Sequence, residues 1–98
     1  MQYTLMIIES IKHKALRKFA VTGKPAKLME AERLGDMLAF ILAAPNLEAL
    51  KTPPNYGFHP LTGNRKGEYA MTVTRNWRLV FSLNDEGAIV DMDLEDYH

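Results

Sequence analysis

The apolar residues of this chain change period part-way along, and that change limits the folds open to it. Between residues 11 and 45 they recur every three or four positions; after residue 56 they alternate. A period near 3.6 buries one stripe of a helix and a period of two buries one face of a strand, so helices should precede a sheet. At 98 residues there is room for one core and not for two. We therefore expect residues 1–98 to form a single domain.

The opening stretch 3–10, YTLMIIES, is nearly continuous apolar and β-branched and predicts a buried first strand. Ser10 is a fair N-cap for a helix over 11–21. Ile11, Ala15, Leu16, Phe19 and Ala20 keep helical spacing there, and Gly23 ends it. Pro25 suits the first turn of a second helix whose stripe is Leu34, Met37, Leu38, Ile41 and Leu42, closed by Ala44-Pro45. A connection over 46–55 has room for one helical turn at 47–50. Strands are expected at 56–61, 69–74, 77–83 and 88–94, with turns at GNRKG (63–67), Arg75-Asn76 and 84–87. The fold class is α+β: a short N-terminal strand, two helices, then an antiparallel meander with the helices on one face.

Twelve Lys+Arg balance twelve Asp+Glu, yet the signs are segregated. Residues 10–27 carry six cations (Lys12, Lys14, Arg17, Lys18, Lys24, Lys27) and no acid, whereas residues 84–98 carry six acids and no Lys or Arg. Arg65, Lys66, Arg75 and Arg78 against Glu68 make residues 59–78 locally basic by three charges. Polyanion binding follows the local field, so a neutral chain can still present a basic face. A basic helix face can equally be solvated or pair with the acidic tail.

With no Cys, a disulfide framework, a thiol nucleophile and thiolate metal sites are excluded. No apolar run approaches the ~18 residues of a membrane span, and the start lacks a signal-peptide pattern, so a cytoplasmic protein with no membrane partner is expected. GNRKG lacks the length and the helix of a phosphate-cradling loop, and no nucleophile elbow is present. His59 and His98 stand too far apart in sequence, without ligand spacing, to suggest a metal.

Alternation puts Arg78 on the strand face opposite Trp77 and Leu79. Taken singly, Arg78 reads as a salt-bridged surface residue, His59 as a structural or exposed histidine, and Asp96-Tyr97-His98 as a tail. Together they offer two imidazoles, a carboxylate, a phenol and several cations on one sheet face. That set suits RNA cleavage by internal transfer. The ribose 2′-OH must lose a proton, the phosphorane gathers negative charge, and the 5′-oxygen must gain a proton.

KHKALRKF (12–19) after a first short strand, HPLTGNRKG (59–67), RNWRLVF (75–81) and EDYH (95–98), in that order, resemble the HigB toxins. These are a branch of the RelE-type toxins of bacterial toxin–antitoxin systems. The resemblance implies a ribosome-dependent endoribonuclease that cuts mRNA during translation, without cofactor or metal. It also implies a helix-turn-helix (HigA-type) antitoxin, with the 70S ribosome and mRNA as the other partners. By motif match His59 and His98 would be the catalytic imidazoles, Asp96 and Tyr97 would assist, and Arg78 would hold the scissile phosphate. Arg65 and Lys66 would contact RNA, and Lys12, Lys14 and Lys18 would track ribosomal RNA. Thr62 stands where the family usually has Lys, and Tyr69 where it usually has Trp. The α-carboxylate of His98, with Glu95 and Asp96, favours the imidazolium, so His98 is expected to donate a proton to the leaving oxygen or to pair with the phosphate, with His59 or Asp96 as the base. Thr62 favours one rival, a non-cleaving module that binds ribosome or antitoxin. A second rival, a structural or DNA-binding partner of a repressor, lacks a recognition helix with suitable turn chemistry.

Overall fold

In the computed structural model, which describes residues 5–25 and 27–96, two helices precede a four-stranded antiparallel sheet. Helix α1 spans Lys14–Thr22 and α2 spans Ala31–Ala43. A 3₁₀ turn, Leu47–Lys51, leads to β1 (His59–Pro60), β2 (Glu68–Thr72), β3 (Trp77–Leu83) and β4 (Ile89–Asp96), which lie side by side in chain order. The expected α+β meander is the observed one.

The core lies between the helices and one face of the sheet. Leu16 of α1 and Leu34, Met37 and Ile41 of α2 pack with Met71, Leu79, Phe81, Ile89 and Met92 of the strands, all fully or almost fully buried. Phe58, Tyr69 and Phe81 stack at its edge with ring centroids 5.7–6.4 Å apart. At Gly35 of α2, a Cβ would lie 3.4 Å from Phe19 Cζ, an ordinary van der Waals contact, so the Phe19 ring of α1 packs directly over this position.

The N-terminal stretch differs from the expected buried strand. Within the described residues it runs parallel beside β4 and meets it at two isolated bridges, Ile8↔Ile89 and Ile11↔Met92. Leu5 and Ile7 are 51% and 63% exposed, because an edge segment is covered on one side only. Its partner is bulged: Val80 pairs with Asp93 and Ser82 with Val90, so three β4 steps match two of β3. Asp91 takes up the extra residue at φ 56°, and Ile89 and Met92 both reach the core.

Ser10 does not cap α1. Its Oγ accepts a hydrogen bond from the Asp91 N–H at 2.8 Å, tying the edge segment to the bulge. The helix starts four residues later, where His13 Nδ1 accepts from the Leu16 N–H at 3.1 Å, and it ends at Gly23 with φ 73°. The second helix begins at Ala31, well after Pro25, and stops at Ala44, whose extended backbone (φ −82°, ψ 137°) is what a following proline demands. The strand expected over 56–61 shrinks to two residues because Asn55, Tyr56 and Gly57 all have positive φ.

Candidate active site

Strand register decides which side chains share the face turned away from the helices. His59 pairs with Ala70, Ala70 with Val80, and Val80 with Asp93; one step along, Thr72 pairs with Arg78 and Arg78 with Glu95. Paired residues point the same way, so His59, Arg78 and Glu95 share this open face. Ala70 and Val80 form its floor. They are 0% and 3% exposed, yet stand outside the core between helices and sheet, so polar side chains cover them.

The covering is an ion-pair network. Arg65 follows the tight turn at Gly63, the first residue of a short 3₁₀ segment Gly63–Arg65. Its Nε and Nη2 donate to the Glu68 carboxylate at 3.1 and 2.7 Å, and its Nη1 donates to Glu95 Oε1 at 2.8 Å. Arg65 Nη2 also donates to Glu95 Oε2. Arg78 Nε donates to the same Glu95 Oε1 at 3.1 Å, with Nη2 3.0 Å away. Glu95 and, behind it, Glu68 raise the Arg65 pKa far above its ordinary value. The Arg65 hydrogen bonds hold both glutamates below the usual carboxylate range, and Arg78 adds to the effect on Glu95. Beside the network a polar hollow of about 240 Å³ is lined by Lys12, Arg65, Glu68, Ser82, Asp91, Asp93 and Glu95.

The structure brings Arg65 and Arg78 together and places Lys12 at the same hollow. His59 sits on the open face but apart from them, two strands across and one pair along from Arg78, roughly 10 Å by 7 Å. Its Nδ1 lies 2.8 Å from the Gly57 carbonyl, which can only accept, so Nδ1 carries the proton and, in the neutral ring, Nε2 is the accepting nitrogen. Asp96 ends β4 opposite Trp77, and alternation directs it to the face opposite Glu95. Tyr97 and His98 lie outside the described residues. Lys14 and Lys18 are exposed on α1, and Lys66 is exposed beside the Pro60–Gly63 bend. Among the described residues no group of three or more acidic or His side chains is arranged to hold a metal, and no helix is long and apolar enough to cross a membrane.

Glu95 and Glu68 are the residues that sequence reasoning passed over. Their charge was visible, but not the register that sets Glu95 against Arg78, nor the turn that swings Arg65 over β2.

The fold has counterparts among solved structures. YafQ from E. coli strain BL21(DE3) superposes with a TM-score of 0.55 at 20% identity, covering 93% of this chain and 92% of that one. The YoeB–YefM complex from Staphylococcus aureus gives 0.55 at 16% identity, over 93% of this chain and 97% of that one. In sequence the likeness is closer. The "Endoribonuclease HigB" of Proteus vulgaris is 35% identical over 96 residues, 94% of this chain and the whole of that protein. The family model described as "RelE-like toxin of type II toxin-antitoxin system HigB" matches residues 9–98. The protein is thus a RelE-like toxin of a type II toxin–antitoxin system. Within that class the chain belongs to the HigB-like toxins.

Proposed function

We propose that this toxin is an endoribonuclease that cuts mRNA on the translating 70S ribosome by internal phosphoryl transfer, without a metal. The observation that carries the reading is the open sheet face, where Arg78 stands beside a buried Ala70–Val80 floor with His59 on the same side. The relationship to a protein named as an endoribonuclease supports it.

The chemistry follows from those groups. The 2′-oxygen attacks the adjacent phosphorus while its proton passes to a base, His59 through Nε2. The P–O5′ bond breaks and the 5′-oxygen takes a proton from His98, leaving a 2′,3′-cyclic phosphate and a 5′-hydroxyl. Arg78 donates to the non-bridging oxygens as charge gathers on them, with Tyr97 assisting; a donor so placed contributes on the order of 10²–10³ in rate. Lys12, Lys14, Lys18 and Lys66, with Arg65 beside them, lie along the RNA or ribosomal RNA. The partner that silences the toxin is a helix-turn-helix antitoxin, and the site of action is the cytoplasm.

The test is expression of the wild type and of His59→Ala in cells, followed by primer extension on a translated message. New 5′ ends with the wild type and about 10²-fold fewer with the variant are expected. Translation arrest without any new 5′ ends would favour a second reading, a ribosome-binding module that does not cut. Thr62 and the carboxylates already seated on Arg65 and Arg78 are the features that favour that reading.

A further inference from the structure

Glu95 serves two guanidiniums at once. Its Oε1 accepts from Arg65 Nη1 at 2.8 Å and from Arg78 Nε at 3.1 Å. Two like charges gathered on one carboxylate repel each other, so the carboxylate is what keeps them side by side. By bonding Nε and lying 3.0 Å from Nη2, Glu95 also fixes one edge of the planar Arg78 fork, and with it the direction of the whole guanidinium. Glu95 is itself anchored, because Arg65 is clamped from its other side by two hydrogen bonds to Glu68.

We propose that Glu95 is the positioning residue of the nuclease site: it aims Arg78 at the phosphodiester while weakening the toxin's hold on RNA, with Arg65 and Glu68 as its anchor. The proposal rests on the nuclease reading of the open face. Its two effects have opposite signs. Removing the Glu95 charge adds one unit of positive charge to the face, so RNA is held more tightly. It also frees the Arg78 fork to turn, so the bound phosphate is cut more slowly. A residue that merely supports the fold would not tighten binding when lost.

The experiment compares the wild type with Glu95→Gln, which keeps the shape without the charge, and Glu95→Asp, which keeps the charge and shortens the reach. Binding is measured with a fluorescent 2′-O-methyl oligoribonucleotide, which cannot be cut, across a range of KCl concentrations. Cleavage is measured as the single-turnover rate on mRNA-programmed ribosomes at saturating toxin.

For Glu95→Gln the slope of log K against log[salt] should steepen by about 0.7, the value for one further phosphate contact on single-stranded RNA. Its cleavage rate at saturation should fall by about 10- to 100-fold, as expected for a misdirected catalytic group. Glu95→Asp should keep the wild-type salt slope and still cut more slowly. An unchanged salt slope in Glu95→Gln overturns the proposal, as does wild-type cleavage by either variant. If Glu95→Gln fails to fold, Glu95→Asp decides by its rate. A wild type that leaves mRNA intact defeats the nuclease reading instead. The binding arm then decides whether Glu95 still governs the hold on RNA.

Discussion

Replacing Arg65 with Met tests the ion-pair network directly. Methionine keeps an apolar stem over Ala70 and Val80 and removes four hydrogen bonds, two to Glu68 and two to Glu95. Buried charge-assisted bonds contribute about 1.5–3 kcal/mol each, whereas exposed ion pairs contribute about 0–1 kcal/mol in all. The side chains here are intermediate, 33% exposed for Arg65, 32% for Glu68 and 27% for Glu95, so water screens much of the interaction. Arg78 remains to pair Glu95. The expected loss is therefore about 1–2 kcal/mol at pH 7, with each kcal/mol lowering Tm by about 4–8 °C in a chain of this size.

The pH dependence gives the sharper check. Both glutamates titrate below their ordinary value of 4.5 in the folded state, so the folded state binds fewer protons than the unfolded chain in that range. Their contribution is complete above pH 4.5 and is lost as pH falls through the lowered folded values. The wild type and Arg65→Met should differ fully at pH 6–7, and the gap should shrink steadily as pH falls below 4.5 towards the lowered folded values. Urea titrations followed by the fluorescence of Trp77, the single tryptophan, measure both. A stability gap of the same size at pH 7 and pH 3, or none at pH 7, would refute the reasoning.

Three further outcomes are expected. His13→Ala should cost about 1 kcal/mol by removing the acceptor for the Leu16 N–H, and His13→Asn should restore it, as denaturant midpoints will tell. Phe81→Ala, which empties the centre of the Phe58–Tyr69 stack, should cost about 3–5 kcal/mol and leave little cooperative unfolding in a chain this short. Charge reversal at Lys14 and Lys18, both exposed on α1, should weaken co-sedimentation with ribosomes and flatten its salt dependence without moving Tm.

The fold was legible because its two halves speak in different periods. The helical stripe through Leu34, Met37 and Ile41 and the alternation through Leu79 and Phe81 both met the core they implied. Ends were harder. Ser10 has the chemistry of a cap, but the Asp91 N–H left exposed by the bulge claims its hydroxyl, and a histidine does the capping instead. That bulge also hid the fate of residues 5–12, since a left-handed aspartate in mid-strand leaves no mark on hydrophobic spacing.

Parity alone set Arg78 on the face opposite Trp77 and Leu79, but placing His59 on that same face needs the register through Ala70 and Val80. Glu95 could not be linked to Arg65, thirty residues away, because that contact depends on sheet register and on a turn conformation together. Tyr97 and His98, which the resemblance places in the site, lie outside the described residues.

The most direct measurement is the end chemistry of RNA cut by purified toxin on programmed ribosomes, with the wild type and Arg78→Ala side by side. The wild type should leave a 2′,3′-cyclic phosphate upstream and a 5′-hydroxyl downstream, and Arg78→Ala should lower the single-turnover rate by about 10²–10³-fold while remaining folded. Fragments bearing 5′-phosphates, or an Arg78→Ala variant as fast as the wild type, would contradict an RNA-cleaving centre built on the open face of the sheet.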